Sequence, residues 1–316
     1  MSPSIFVTGA AGCVGRALLE RLFASGLTVI GMDLIPQPGN CPASTWVTGD
    51  VIELGECEKY LKDVGTVIHL AAMVHTTPST HEEANGFWRV NLNGTHRIID
   101  ASVRAGVKKF LFVSTVAVLK PPTGAVSDAY NDSKRAAENL VREYSDRIEV
   151  VIARPATVYG PWDRGNMLRM IRWIDRGRPP IIGPGTNRKS MVFVRNLAAA
   201  ISFLAERGEN MQSYVVTDGQ DKSMKEIVDS ICRCLGHRNR WPAIPLWFAK
   251  GILNANDWVA SNVGFPRVLS GKMTVDKLTE ETVYDPSPIF TLGFCPPYNF
   301  EEGIAETVEW YTRSGR

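Results

Sequence analysis

Long apolar segments are missing from this 316-residue chain. The most apolar stretch, Trp241 to Phe265, is interrupted by Pro245, Lys250 and Asp257 before the ~20 apolar residues needed to cross a bilayer accumulate. The first residues, MSPSIFVTGAAG, also lack the charged and apolar regions of a secretory signal. We therefore expect no integral membrane segment and a cytoplasmic protein. An aromatic-rich helix that closes a substrate lobe is favoured for 241–265 over a helix lying on a membrane surface.

Cysteine is scarce as well. The six cysteines are too few and too irregularly spaced for a disulfide framework, which indicates a reducing compartment. Cys232, Cys234 and His237 could begin a zinc site, but the sequence offers no further ligands for it. We therefore predict no metal.

Neither sign of charge is in excess, because 35 Lys and Arg against 33 Asp and Glu leave a formal net charge of +2. This balance lacks the basic footprint of a nucleic-acid-binding protein. Hydrophobic residues make up 44% of the chain and charged residues 22%, which excludes disordered and collagen-like classes. The composition is that of an ordinary globular protein.

Apolar strands alternate with helical patterns from residue 4 to about residue 155. The predicted strands are Ser4 to Thr8, Thr28 to Asp33, Thr45 to Thr48, Thr66 to Ala71, Lys109 to Ser114 and Glu149 to Arg154, with helices near 13–25, 53–62, 82–105 and 128–146. This alternation predicts an α/β fold with a Rossmann-type, doubly wound parallel sheet. Gly and Pro are frequent after Arg154, so we expect a Rossmann domain over 1–160 and a smaller, mixed substrate lobe over 161–316. Late strands such as Tyr214 to Thr217 should return to the sheet.

A glycine-rich turn follows the first predicted strand and opens a helix. Gly9 permits a tight turn, Gly12 lets backbone amides approach a pyrophosphate, and Gly15 lets helix and sheet pack closely. The residues predicted to bind a dinucleotide here are Gly9, Ala11, Gly12, Cys13, Val14 and Gly15.

The second predicted strand ends in Asp33, about 20 residues beyond the turn, where a carboxylate accepts both ribose hydroxyls of a dinucleotide. Its charge would repel a 2′-phosphate, and no Arg follows directly to bind one. The sequence therefore predicts NAD rather than NADP as cofactor.

Tyr130 and Lys134 lie four residues apart, hence on one face of a predicted helix. A tyrosine of ordinary pKa, about 10, must lose about three units to act as a base near neutrality, and a neighbouring ammonium together with a nicotinamide charge favours this. Phe110 to Val113 form an apolar strand that delivers Ser114 and Thr115 at its carboxyl end, where doubly wound sheets bind ligands. The spacing indicates that Tyr130 acts as a general acid and base and that Lys134 lowers its pKa.

The form T-G-x-x-G-x-x-G resembles the short-chain dehydrogenases/reductases. The segment R-P-A-T-V-Y-G-P from Arg154 to Pro161 is similar to that of the extended subgroup, the NAD-dependent epimerases and dehydratases of nucleotide sugars. The resemblance implies further cofactor contacts at Asp50, Val51, Leu70, Ala71, Ala72, Asn91, Ser114, Tyr130, Lys134, Pro155 and Val158. It assigns catalysis to Thr115, Tyr130 and Lys134.

The same resemblance implies a nucleotide-sugar substrate, bound by Thr115, Asn166, Leu168 and Arg188. Arg169, Arg172 and Arg176 lie near a predicted helix that follows Asn166, and a diphosphate is the anion that guanidinium groups would bind there. The segments Leu292 to Pro297 and Phe300 to Ile304 resemble structural elements of the subgroup. A homodimer through the helices at 82–105 and 128–146 is also implied.

The preferred interpretation is an enzyme, an NAD-dependent epimerase at C4 of a UDP-hexose or UDP-N-acetylhexosamine that works by transient oxidation to a 4-keto sugar. The resemblance therefore also implies a role in surface-polysaccharide biosynthesis. Three alternatives remain open: an NAD(P)H-dependent reductase of nucleotide-linked 4-keto sugars, a hydroxysteroid or small-alcohol dehydrogenase, and a non-catalytic NAD-sensing protein. Whether NAD stays bound or NADH is consumed separates the epimerase from the 4-keto-sugar reductase.

Overall fold

A computed structural model of the chain describes residues 4–39, 41–74, 78–177, 181, 183–237 and 279–314. Within these ranges the chain forms two compact units. The first comprises 1–162, 192–218 and 284–298, and the second comprises 163–191, 219–283 and 299–316. The predicted helix over 241–265 lies outside the described residues.

The first unit is built on a seven-stranded sheet. Its strands are β1 (Ser4–Thr8), β2 (Val29–Asp33), β3 (Thr45–Thr48), β4 (Val64–His69), β5 (Lys109–Val113), β6 (Glu149–Pro155) and β10 (Ser213–Val216). All neighbouring pairs run parallel, in the order β10-β6-β5-β4-β1-β2-β3. This confirms the predicted α/β class, and β10 is the late strand expected to return to the sheet.

Alternate residues of the central strands enter two separate cores. Leu111 of β5 packs on one face with helices α1 (Cys13–Ala24) and α6 (Val194–Arg207). Phe110 and Phe112 pack on the other face with α3 (Thr95–Arg104) and α4 (Ala129–Arg142). Strands buried on both faces read as continuous apolar runs, which is why the sequence revealed them.

The predicted helix over 82–105 forms in three consecutive segments. These are α2 (His81–Phe87), a π-helical segment (Trp88–Gly94) and α3. Thr80 caps α2 by accepting the N–H of Glu83. The π-helical turn contains Asn91, and such turns occur often at functional sites. The predicted helix near 53–62 is a 3₁₀ segment, Gly55–Leu61.

Short elements complete the described part of the first unit. They are 3₁₀ turns at Val116–Leu119 and Val126–Asp128, strands β7 (Thr157–Tyr159) and β9 (Met191–Phe193), which pair with each other, and the helix α8 (Ser287–Thr291). Met191 of β9 already belongs to the second unit. The segment Leu292 to Pro297 follows α8.

The second unit is mainly helical. Its described helices are α5 (Asn166–Asp175), α7 (Met224–Cys234) and α9 (Phe300–Arg313), and its strands β8 (Arg188–Lys189) and β11 (Lys222–Ser223) pair antiparallel. Helix α7 packs against α5 and α9. Capping boxes at Ser223 and Asn299 begin α7 and α9. Among the described helices none is long and apolar enough to cross a membrane.

Candidate active site

The glycine turn between β1 and α1 leaves no room for side chains at two of its positions. Gly9 has φ +69°, and a Cβ there would lie 2.7 Å from the backbone nitrogen of Ala71. A Cβ on Gly15 would lie 2.4 Å from the carbonyl oxygen of Gly9. Gly12 precedes α1 without a side-chain cap, so the first amides of the helix are left for another acceptor. The turn therefore fits a pyrophosphate.

Asp33 ends β2 beside this turn and accepts a hydrogen bond from the Ala11 N–H at 2.9 Å through Oδ2. The half-buried carboxylate thus orders the turn as well as placing a negative charge next to it. This position fits the adenosine ribose of a dinucleotide. After β3, Asp50 accepts the Ile52 N–H at 2.9 Å, and Val51 packs against Gly94.

His69 lies at the end of β4 as a buried link between three elements. Its Nδ1 lies 2.7 Å from the Thr8 hydroxyl and its Nε2 lies 3.0 Å from the Thr95 hydroxyl. Thr8 also accepts the Ala71 N–H at 3.2 Å. Burial lowers the pKa of His69 to about 3, and the neighbouring Lys134 charge acts in the same direction. The imidazole is therefore neutral, and through Thr8 it is linked to the backbone of Ala71 beside the glycine turn.

Asn91 uses its amide on protein partners. Its Oδ1 accepts the Met73 N–H at 2.8 Å, and its Nδ2 donates to the Met73 carbonyl and to the Ser133 hydroxyl. The side chain is buried, so it holds the segment after Ala72 against α4 next to Lys134. Asn91 thus acts on the predicted cofactor-binding residues Leu70 to Ala72 through Met73, the residue that follows them.

Tyr130 and Thr115 meet in a hydrogen bond between their hydroxyl groups. Thr115 follows β5, and its Oγ1 also accepts the Ala117 N–H at 3.2 Å. Burial raises the pKa of Tyr130 to about 12, and the hydrogen bond from Thr115, which favours the phenolate, opposes this only in part. The sequence argument expected a lowered pKa, which the protein alone does not produce. The difference is the desolvation of the phenol.

Lys134 is buried one helical turn after Tyr130. Its Nζ donates to the Val113 carbonyl at 2.7 Å and lies 4.0 Å from the centre of the Phe112 ring. Burial lowers the pKa of Lys134 to about 7, and the carboxylate of Glu138 counteracts this. Helix α4 therefore brings Tyr130 and Lys134 to the carboxyl end of β5, as the four-residue spacing predicts.

Glu138 and Arg154 form a buried ion pair that the sequence did not reveal. Arg154 Nε donates to Glu138 Oε1 at 3.0 Å and Nη2 donates to Oε2 at 2.5 Å. Arg154 belongs to β6, immediately before Pro155, and Glu138 lies one turn after Lys134 on α4. Arg154 stands in a segment already singled out, and an acid four residues after Lys134 on the same helix was the available signal for its partner.

Ser114 carries a buried hydroxyl that finds no hydrogen-bond partner in the described part of the chain. A buried polar atom is rarely left unpaired, so this oxygen is consistent with a ligand contact. Pro155 ends β6, and Val158 lies in β7. Beside them, Tyr159 donates to Asp218 Oδ2 at 2.9 Å.

The predicted substrate residues other than Thr115 lie in the second unit. Asn166 is the exposed first residue of α5, whereas the Leu168 side chain is buried in the unit. Arg188 is exposed on β8 and donates to the Asp221 carbonyl at 3.0 Å. The described residues contain no cluster that could hold a metal ion.

A parallel dinucleotide-binding sheet with a Tyr-x-x-x-Lys helix at its carboxyl edge is the architecture of a short-chain dehydrogenase/reductase. The sequence model of the NAD dependent epimerase/dehydratase family matches residues 5–217, and the chain belongs to this family. Membership confirms the resemblance seen in the sequence, the prediction of an enzyme, and NAD as the cofactor of its class.

Curated relatives match almost the full length of the chain. An N-acetyl-alpha-D-glucosaminyl-diphospho-ditrans,octacis-undecaprenol 4-epimerase from Escherichia coli O157:H7 is 27% identical and covers 98% of this chain and 96% of the relative. A UDP-glucose 4-epimerase from Vibrio cholerae is 28% identical over 99% of this chain and 97% of its own. The solved structure of MoeE5 in complex with UDP-glucose and NAD superposes with a TM-score of 0.75 at 27% identity, covering 98% of this chain and 99% of its own.

Proposed function

We propose that the protein is an NAD-dependent 4-epimerase of a nucleotide-linked hexose or N-acetylhexosamine, with UDP as the nucleotide. The arrangement of Thr115, Tyr130 and Lys134 at the carboxyl end of β5 carries this proposal. The relatives that act on C4 of a diphosphate-linked sugar support it, because they match the chain from end to end.

NAD, when bound, supplies a hydride acceptor and, once reduced, a hydride donor. The residues proposed to hold it are Gly9, Ala11, Gly12, Cys13, Val14, Gly15, Asp33, Asp50, Val51, Leu70, Ala71, Ala72, Asn91, Ser114, Pro155 and Val158, with Tyr130 and Lys134. Asp33 would bind the adenosine ribose, and Asn91 would act by holding Met73 and Ser133.

Tyr130 takes the proton of the sugar C4 hydroxyl as that carbon is oxidised, and returns a proton to the oxygen when the 4-keto group is reduced. Thr115 donates a hydrogen bond to the phenolate and so stabilises it. Lys134, held by the Val113 carbonyl one helical turn from Tyr130, would bind the nicotinamide ribose and, when protonated, add positive charge for the phenolate. Because the pKa of Tyr130 is about 12 in the protein alone, proton removal depends on further positive charge that arrives with the cofactor.

The second unit is proposed as the substrate lobe. Asn166 and the backbone N–H of Leu168 lie in the first turn of α5, which Gly165 precedes without a side-chain cap. First-turn amides suit a phosphate. Arg188, exposed on β8, would supply a guanidinium to the same diphosphate.

A panel of sugar nucleotides tests the function. Purified protein is incubated with UDP-, dTDP- and GDP-linked sugars, with and without added NADH, and the products are separated by chromatography. Interconversion of a UDP-sugar and its C4 epimer without added NADH is expected. Consumption of NADH in proportion to product would instead identify a 4-keto-sugar reductase, and no change in any sugar nucleotide would refute both.

The exposed side of α5 favours a second class of substrate. Arg169, Arg172, Trp173 and Arg176 are exposed at helical spacing, and no ion pair engages these arginines among the described residues. Arginines flanking an exposed tryptophan are typical of a helix face that meets anionic headgroups. The relative that acts on an undecaprenyl-diphosphate sugar makes a lipid-linked N-acetylhexosamine the second candidate. Adding a polyprenyl-diphosphate sugar in detergent to the panel decides between the two carriers.

A homodimer is proposed through the helices at 82–105 and 128–146. Trp88, in the π-helical segment within the first of these stretches, is 38% exposed and offers an apolar surface for the contact. Sedimentation velocity is expected to give twice the chain mass. Trp88→Glu should yield the monomer, and a monomeric wild type would contradict the assignment.

A further inference from the structure

The segment Gly160 to Trp162 is joined to the glycine turn by two side chains of α1. Cys13 Sγ donates to the Pro161 carbonyl at 3.2 Å. The guanidinium carbon of Arg16 lies 4.2 Å from the centre of the Trp162 ring. Arg16 also donates from Nε to the Ala11 carbonyl at 2.8 Å. One arginine therefore contacts the phosphate-binding turn and the segment after β7 at the same time.

Trp162 adopts a backbone conformation that its contacts must maintain. Its φ of +68° lies in the left-handed region, which costs an L-residue roughly 1–2 kcal/mol. Trp162 is 41% exposed, so burial alone does not hold it there. Strain of this kind persists where surrounding contacts fix it, and it is concentrated at functional sites. The stack on Arg16 is one such contact.

The charge of Arg16 lies at an unfavourable place for the helix. Its N–H makes an early helical bond of α1, to the Gly12 carbonyl, so the guanidinium belongs to the positive end of the helix dipole. The guanidinium therefore adds to the positive potential that the glycine turn presents to a phosphate.

We propose that Arg16 and Trp162 form a clasp that retains the dinucleotide on the glycine turn. Arg16 fixes the Ala11 carbonyl and adds positive charge beside the pyrophosphate site, while Trp162 keeps the guanidinium in place and ties down the segment after β7. The inference rests on the proposed function, because an epimerase that returns a hydride to the same sugar gains from a cofactor that stays bound. It assigns Arg16 and Trp162 as positioning residues.

Bound nucleotide and its release rate test the clasp. Wild type, Arg16→Met and Trp162→Gly are purified and denatured, the released NAD is quantified by chromatography, and dissociation is followed after adding an excess of a fluorescent NAD analogue. Glycine tolerates the left-handed conformation, so Trp162→Gly removes the ring without adding strain. We expect both variants to release NAD about tenfold faster, the order expected for a partly desolvated cation–π contact.

Arg147→Met is the matched control. Its guanidinium carbon lies 4.1 Å from the Tyr144 ring in a stack on the surface of the same unit. We expect the release rate of this variant to equal that of wild type. Trp162→Phe, which keeps an aromatic face for the guanidinium, should stay within about threefold of wild type. Circular dichroism confirms that each variant is folded.

The outcomes separate the clasp from the proposed function. Release rates of Arg16→Met and Trp162→Gly within twofold of wild type would overturn the clasp while leaving the epimerase assignment intact. A wild type that neither carries nor binds NAD would overturn both. Faster release from both variants, with Arg147→Met unchanged, supports the clasp even if the sugar substrate differs from the one proposed.

Discussion

Arg154 binds both carboxylate oxygens of Glu138, at 3.0 Å and 2.5 Å, and the acid is almost fully buried. The pair ties β6 to α4 one turn beyond Lys134. Glu138 is also the group that raises the pKa of Lys134 against the effect of burial. The ion pair between Glu138 and Arg154 therefore influences the ionisation of Lys134, the proposed catalytic lysine.

Breaking this pair from one side should destabilise the fold strongly. Arg154→Met leaves Glu138 charged and buried without its partner, and we expect a loss of about 3–5 kcal/mol in the free energy of unfolding, measured in urea. Adding Glu138→Gln to Arg154→Met should recover part of it, because no carboxylate is then left buried without Arg154, although Lys134 loses the favourable effect of that carboxylate. Arg104→Met, which breaks the exposed pairs of Arg104 with Glu58 and Asp100, serves as the control and should cost less than about 1 kcal/mol. A loss below about 1 kcal/mol in Arg154→Met would show that the pair is not held as described.

Removing the phenol oxygen should stop turnover without disturbing cofactor binding. Tyr130→Phe deletes the group proposed to carry the C4 proton, so we expect kcat to fall by roughly 10²–10⁴-fold. NAD affinity, measured by calorimetry, should remain close to that of wild type. Tyr144→Phe removes a hydroxyl from a tyrosine of the core that contains Phe110 and Phe112, and it should leave kcat unchanged. Wild-type turnover in Tyr130→Phe would eliminate the proposed mechanism.

Asp33 should decide between NAD and NADP. Asp33→Asn removes the charge but keeps an oxygen that can accept the Ala11 N–H, so discrimination against NADP should weaken while the turn stays ordered. Asp33→Ala removes charge and acceptor, and the affinity for both cofactors should fall. Dissociation constants from fluorescence titration separate the two effects. Equal affinity of the wild type for NAD and NADP would contradict the assignment.

The sequence predicted the parts of the site that depend on local spacing. The turn from Gly9 to Gly15 and the pair of Tyr130 and Lys134 need only the helix and strand periods to be placed. The contacts between distant segments could not be predicted this way. Glu138 and Arg154 are 16 residues apart in different elements. The left-handed backbone conformation of Trp162 depends on contacts with residues that are distant in the sequence, such as Arg16. The rise in the pKa of Tyr130 likewise depends on burial, which spacing does not report.

His69 should make the fold sensitive to acid. Its pKa is about 3 in the folded protein against a usual value of about 6.5, so the unfolded chain binds a proton over this range that the folded protein does not. The stabilising effect is fully present above about pH 6.5 and is lost as the pH falls towards 3. The free energy of unfolding should therefore drop by about 2 kcal/mol from this residue between pH 6.5 and 4.5. His69→Asn should be less stable at neutral pH, because the links to Thr8 and Thr95 are weakened, yet its stability should fall less steeply with acid.

His96→Gln, at an exposed histidine, is the control and should keep the wild-type slope of stability against pH. Equal slopes for wild type and His69→Asn in urea titrations at pH 4.5, 5.5 and 6.5 would show that His69 is not held neutral.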